Sequence, residues 1–126
     1  MWSAVGRRIP VATTALGRAI LAATPDGRPG TGTGTDTDTD ETLGAIIDEA
    51  RQQGYATETE ENEPGIACVA VALVRAGRPV AAVSITAPVE RMTGPARAER
   101  VAALRDVLTR TLPVGLSLPA VGSRDF

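Results

Sequence analysis

The chain has 126 residues, which suits one small domain, and 43% of them are hydrophobic but only 2% aromatic. A core built from Ala, Val, Leu and Ile buries little area per side chain, so we expect modest stability or support from a partner chain. The formal net charge of −2 argues against this chain gripping nucleic acid by itself. A single cysteine, Cys68, excludes an internal disulfide framework.

The first predicted element is a short helix that Thr13 or Thr14 caps and that runs to about Ala23. Arg7 and Arg8 stand before this stretch and faintly imitate an export signal, but proline and polar residues interrupt its apolar run. No apolar run reaches the roughly 18 residues of a membrane span. We therefore expect the protein in the cytoplasm.

A low-complexity segment, PGTGTGTDTDTDETL, covers residues 29–43. It has no Lys after its last glycine, as a phosphate-binding loop needs, and no third glycine, as a dinucleotide fingerprint needs. Its aspartates imitate a calcium loop, but Glu41 stands where that loop needs glycine and Ile47 where it needs glutamate. We expect a flexible insert over residues 27–41, and neither a metal nor a cofactor.

The remaining elements predict an α+β domain. A second helix is capped by Thr42 and ends at Gly54, and a short strand comes next over Tyr55–Thr59. Two apolar runs, Ile66–Val74 and Pro79–Ala87, flank the turn RAGR and form a β-hairpin. A last helix opens at Gly94-Pro95 with Val101, Leu104, Leu108 and Leu112 in register. The domain is expected to cover residues 1–118, with a disordered tail over 119–126.

Candidate catalytic chemistry is sparse. The chain has no histidine, the commonest general base and metal ligand. Cys68 lies in an apolar strand, where a cysteine is usually a small buried hydrophobe. Glu58, Glu60 and Glu61 lie in or beside an acidic loop and are interpreted as solvated carboxylates. We do not expect an enzyme; a minor enzymatic role would require turnover that depends on Glu58 or Cys68.

Whole segments of the chain resemble the effector-binding domain of IclR-type transcriptional regulators. VGRRIPVATTALGRAILAA (residues 5–23) is similar to a Pro-Leu-His-Ala-Thr-Ala-Leu-Gly-Lys-Ala-Leu-Leu-Ala string typical of that family. Residues 50–92 are similar to the later part of the family's domain: a helix end with Gly-Tyr, an acidic loop, Gly-Ile before a hairpin, and a strand ending in Ser-x-Ser/Thr-x-Pro. The closing helix also fits.

The resemblance implies a GAF-like or profilin-like antiparallel sheet with flanking helices, which binds a small organic acid or aromatic metabolite. It also implies a homo-oligomer, dimer or tetramer, and contact with DNA only through a winged helix-turn-helix domain outside this chain. By position, the resemblance assigns effector binding to seven residues: Ala15, Leu16, Glu58, Ile66, Cys68, Ser84 and Thr86. Strand alternation places Ser84 and Thr86 on one face and Val83 and Ile85 on the other.

Three departures from the family pattern leave alternatives open. The DNA-binding half and about the first third of the effector domain have no counterpart here, so we expect missing N-terminal strands and an open sheet edge that a partner could cover. The histidine of the family string is Ala12 here. An oligomerisation module that binds no ligand therefore stands beside the effector-binding interpretation, and hydroxyls that simply face water stand beside the pocket role of Ser84 and Thr86.

Overall fold

The computed structural model describes residues 6, 8, 10–25 and 37–121, with the backbone alone for 37–40. The elements run in the order α1 (Ala15–Ala23), α2 (Thr37–Gln53), β1 (Ala56–Thr59), β2 (Ile66–Arg75), β3 (Arg78–Pro88), a 3-10 turn (Val89–Arg91) and α3 (Pro95–Thr111). The three strands form one antiparallel sheet in the order β1-β2-β3. The predicted α+β class and the order of its elements are confirmed.

The hairpin between β2 and β3 is explained by its two-residue turn. Ala76 and Gly77 both have positive φ, 52° and 78°, as a turn matched to the strand twist requires. Register runs from Ile66 opposite Pro88 to Arg75 opposite Arg78, with one irregularity next to Leu73. Among the described residues, β1 and β3 each leave one edge without a partner strand.

The core has two parts, one on each face of β2. On the first face, Ala15 and Ala19 of α1 and Ala50 of α2 pack on a set of small strand residues: Ala56, Cys68, Ala70 and Ala72. On the second face, Val101 of α3 and Met92 pack on Ala67 and Val69. Because strand residues alternate between faces, the side of β2 that faces α1 carries residues 66, 68, 70 and 72.

Helix α2 begins earlier than the sequence suggests. Its first residue is Thr37, so the last five residues of the predicted insert over 27–41 are helical, and Thr42 lies inside the helix rather than at its cap. Aspartates in the first turn of a helix are stabilised by the helix dipole, a local effect that the flexible-insert interpretation leaves out. Residues 27–36 of that insert lie outside the described residues.

Helix α3 buries less than its pattern predicts. Val101 is buried, but Leu104, Leu108 and Leu112 are only half-buried, and Val107 is exposed. After α3, Ser117 forms two backbone hydrogen bonds with Val74 of β2, of 2.8 and 2.9 Å. The Arg105 guanidinium donates to the carbonyl of Pro119, so the first residue of the predicted tail is anchored. Residues 122–126 lie outside the described residues.

Candidate functional site

The start of α1 lies over the first face of the sheet because of its capping and its small residues. The Thr14 hydroxyl accepts a hydrogen bond from the Gly17 amide (3.1 Å) and donates one to the Pro10 carbonyl (2.6 Å). Glycine is required at position 17, because a Cβ would collide with the backbone of Val11. The segment before α1 therefore crosses directly against the helix and fixes where its first turn points.

The first turn of α1 presents backbone donors. Ala15 and Leu16 are its first two helical residues, and the amides at a helix start have no partner within the helix. No other described group accepts a hydrogen bond from either amide. Ala15 is buried against the sheet, and Leu16 packs at the edge of the same core. Donors and dipole together favour an anion at this point.

Below α1, a row of polar side chains crosses all three strands. Glu58 of β1 pairs with Cys68 of β2, and Cys68 pairs with Thr86 of β3. The Cys68 Sγ and the Thr86 Oγ1 are 3.2 Å apart, and Glu58 accepts the amide hydrogen of Glu61 at 2.9 Å. The structure therefore brings three of the expected effector residues, Glu58, Cys68 and Thr86, into one row across the sheet, one from each strand.

Ser84 and Ile66 flank this row. Ser84 lies opposite Ala70 and Ile66 opposite Pro88, on the same sheet face as Thr86, as the alternation predicted. Ser84 is half-buried, and its hydroxyl has no hydrogen-bond partner among the described residues. Thr86 is exposed, which agrees with the water-facing alternative for that residue. The seven expected residues thus share one face of the sheet and the helix above it.

The environment of Cys68 suppresses its reactivity. Burial raises the pKa of the Cys68 thiol above its usual value of 9.0, and the Glu58 carboxylate adds to the rise, while the hydrogen bond with Thr86 opposes it. A thiol with a raised pKa is a poor nucleophile at neutral pH. Cys68 is therefore a small buried side chain and not a reactive thiol.

The acidic loop is tied into the structure by its carboxylates. Their interpretation as solvated is wrong for Glu58, whereas Glu60 and Glu61 are exposed as predicted. Glu58 is only 4% exposed. Glu60 accepts the Gly65 amide hydrogen at 2.8 Å and so closes the loop. Glu61 forms a bidentate ion pair with Arg18 of α1, with distances of 2.6 and 2.7 Å. The partners lie 43 positions apart in sequence, so only a family-wide pairing of Arg with Glu could have revealed the contact.

A membrane-spanning helix and a metal site can be assessed only in the described part of the chain. Within residues 10–25 and 37–121, no helix is long and apolar enough to cross a membrane. The described residues also bring together no group of three or more Cys, Asp or Glu side chains that could hold a metal ion. The aspartates at positions 36, 38 and 40, which imitate a calcium loop, lie outside that finding, because their side chains are not described.

A family model for the C-terminal part of the bacterial transcriptional regulator IclR matches residues 1–110. The transcriptional regulator KdgR of Escherichia coli is 34% identical over 114 residues, which cover 82% of this chain and 43% of KdgR. The glycerol operon regulatory protein of Streptomyces coelicolor is 36% identical over 112 residues, which cover 81% of this chain and 44% of that protein. The chain thus spans less than half the length of these relatives.

Solved structures agree with the sequence matches. The IclR protein of Thermotoga maritima superposes with a TM-score of 0.70 at 30% identity, over 84% of this chain and 47% of that one. The inducer-binding domain of PobR from Acinetobacter, solved as a double mutant with 3-hydroxybenzoic acid, has a TM-score of 0.63 at 25% identity, over 83% of this chain and 66% of that one.

Proposed function

The chain belongs to the IclR family of bacterial transcriptional regulators, as part of their C-terminal domain, and from that premise we propose that it binds a small organic-acid effector. The observation that carries the proposal is the start of α1 above the row of Glu58, Cys68 and Thr86. It combines backbone donors for a carboxylate with a nearly apolar wall and a few fixed polar groups, which is how small-ligand sites are commonly built.

The ligand's carboxylate would meet the amides of Ala15 and Leu16, and its body would lie along the sheet toward Ile66 and Ser84. The free hydroxyl of Ser84 offers one further hydrogen bond. The PobR inducer-binding domain supports this chemistry, since its solved complex contains 3-hydroxybenzoic acid, an aromatic acid with one hydroxyl. In a complete regulator, DNA contact belongs to another domain, and effector binding would alter it.

A matched melting experiment tests the proposal. Thermal unfolding of the chain is recorded without ligand and with each of a panel of small carboxylic acids that includes benzoate and 3-hydroxybenzoate. A ligand at about 100 times its dissociation constant adds about 2.7 kcal/mol, a shift of several degrees in a domain of this size. Ser84→Ala should weaken the shift, whereas Ser117→Ala, an exposed serine held through its backbone, should leave it unchanged. A cooperative melt whose midpoint no acid shifts would contradict the proposal that the chain binds an effector.

The second candidate, an oligomerisation module, is favoured by the exposed apolar surface. Val80 on the edge strand β3 and Val107 on α3 are 54% and 49% exposed, and the two leucines of α3 are half-buried. Association with a second copy would bury such surface. Light scattering at ~10 µM checks this: a dimer or larger species supports association, and a stable monomer counts against it. The two functions are compatible in one domain.

A further inference from the structure

The Arg18 side chain ties α1 to the segment before it, to β1 and to the loop between β1 and β2. It is 4% exposed, and its guanidinium donates to the carbonyls of Ala12 and Thr57, at 2.8 and 3.0 Å, as well as to both carboxylate oxygens of Glu61. Helix geometry places Arg18 and Leu16 on opposite flanks of α1, because two residues span about 200°. The Arg18 guanidinium therefore lies on the opposite flank of α1 from Leu16. Glu58 links it to the effector site proposed above, because Glu58 lines a cavity with Arg18 and accepts the amide hydrogen of Glu61.

The two members of this ion pair differ in how they are held. Arg18 is buried and bound to the backbone, so it keeps its position without Glu61. The Glu61 side chain is 42% exposed and belongs to the loop between β1 and β2. A buried cation needs a partner, but the partner need not come from the same chain. Glu61 can move into water when another carboxylate takes its place.

Two cavities meet at the ion pair, with Ile46 of α2 between them. One, of about 300 Å³, is lined by Ala12, Thr13, Thr42 and Leu43 besides Arg18, Ile46 and Glu61. The other, of about 190 Å³, is lined by Glu49 and Glu58 in addition to Glu61. Acidic walls disfavour an anion in the second cavity. Among the described residues, Glu61 is the one acidic residue that lines the first cavity, which offers Leu43 and Ile46 to an apolar group.

We propose that Arg18 forms a second carboxylate site, which Glu61 closes from within the chain and which a small monocarboxylate with an apolar tail opens. The incoming carboxylate takes both hydrogen bonds that Glu61 now receives, and its tail occupies the larger cavity. Arg–carboxylate pairing of this fork geometry is strong and specific. Opening would detach Glu61 from α1, while the side-chain amide of Asn62 still donates to the Thr13 carbonyl at 2.6 Å and keeps the loop near the start of that helix.

Acetate rescue of a variant tests this site without any knowledge of the effector. Glu61→Ala removes the internal carboxylate and should melt several degrees below the unsubstituted chain. Addition of acetate to about 50 mM should raise the midpoint of the variant by several degrees more than that of the unsubstituted chain, in a saturable manner. The unsubstituted chain should respond less, because acetate must first displace the tethered Glu61 carboxylate and only the excess over that competition adds stability.

Three controls isolate the carboxylate and its partner. Acetamide, the neutral isostere, and chloride at equal ionic strength should produce no such rescue. Adding Arg18→Met to Glu61→Ala should abolish it. If the alanine variant fails to melt cooperatively, Glu61→Gln keeps the loop's shape and should still respond to acetate more than the unsubstituted chain does.

Equal shifts in the variant and the unsubstituted chain, or an equal effect of acetamide, would overturn the second site. That failure is distinct from failure of the proposed function, because the effector panel reports through Ser84 on the other flank of α1. An acid whose effect depends on Ser84 but not on Glu61 would support the effector site and contradict the carboxylate site at Arg18.

Discussion

The two faces of the sheet differ in how closely their helices approach. On the first face, α1 contacts all three strands and its alanines pack on β1 and β2. The polar groups of Glu58, Cys68 and Arg18 are buried in the same layer. On the second face, the 17 residues of α3 contribute one buried side chain, Val101. Small residues let backbones approach, and close backbones supply the hydrogen-bond partners that buried polar groups need. The candidate sites consequently lie on the first face.

The largest effect should come from closing the space at Gly17. Gly17→Ala would push a methyl group into the backbone of Val11, and we expect the free energy of unfolding to fall by about 3 kcal/mol. Gly44→Ala is the matched control, because Gly44 lies inside α2 with open space where the Cβ would be. That change should stabilise by about 0.5–1 kcal/mol. Urea unfolding of both variants measures the two changes in free energy. Equal changes would contradict the close approach of Val11 to α1 at Gly17.

The next largest difference should be between a buried and an exposed ion pair, in the stability that each contributes. Arg18→Met leaves Glu61 and two carbonyls without their donor and should cost about 2–3 kcal/mol, reduced from the usual buried-pair figure because Glu61 is partly in water. Arg110→Met on α3 breaks a pair whose side chains are each 68% exposed and should cost at most about 0.5 kcal/mol. Similar losses, measured by denaturant unfolding, would show that Arg18 is not an organising residue.

Within α3, burial should be concentrated at one valine. Val101→Ala removes two methyl groups from the second core and should cost about 1–2 kcal/mol. Val107→Ala lies nearly two turns further along, at a position 49% exposed, and should change stability by less than about 0.5 kcal/mol. A larger cost at Val107 in a concentration-dependent melt would instead indicate that α3 lies in an interface between copies.

The smallest effect concerns Cys68 at high pH. Its pKa is raised in the folded state, so above the usual thiol value of 9.0 the unfolded chain loses this proton first. The unfolded state then binds fewer protons, and the free energy of unfolding falls as pH rises, by less than about 1 kcal/mol near pH ~9.5. Cys68→Ala should lack this decline when urea melts at neutral pH and at that higher pH are compared. An unchanged decline would assign it to other groups.

The elements of the fold could be predicted from local sequence signals. Thr14 caps α1, Ala76-Gly77 makes the hairpin turn, and Pro95 opens α3, each where residue chemistry predicts it. The common face of Ser84 and Thr86 comes from strand alternation alone. Such features need only a few neighbouring residues, which is why a single sequence is enough to find them.

Features that depend on distant partners could not be predicted in the same way. The sequence of the acidic loop does not reveal that Glu61 pairs with Arg18, because the two residues lie 43 positions apart, nor that Glu58 is buried. The closeness of Gly17 to Val11 has no local signal beyond a small residue. The incomplete burial of α3 depends on what covers the sheet and not on the spacing of its leucines. The roles of the seven effector residues remain proposals.

An NMR titration of the ¹⁵N-labelled 13.0 kDa chain against 3-hydroxybenzoate and benzoate tests most directly whether an effector site lies between α1 and the sheet. Such a site predicts saturable shifts at the amides of Ala15, Leu16, Ser84 and Thr86, with α3 unchanged. Ser84→Ala should weaken these shifts and Ser117→Ala should not. A well-dispersed spectrum in which both acids leave these amides unmoved, or move only residues of α3, would contradict the site.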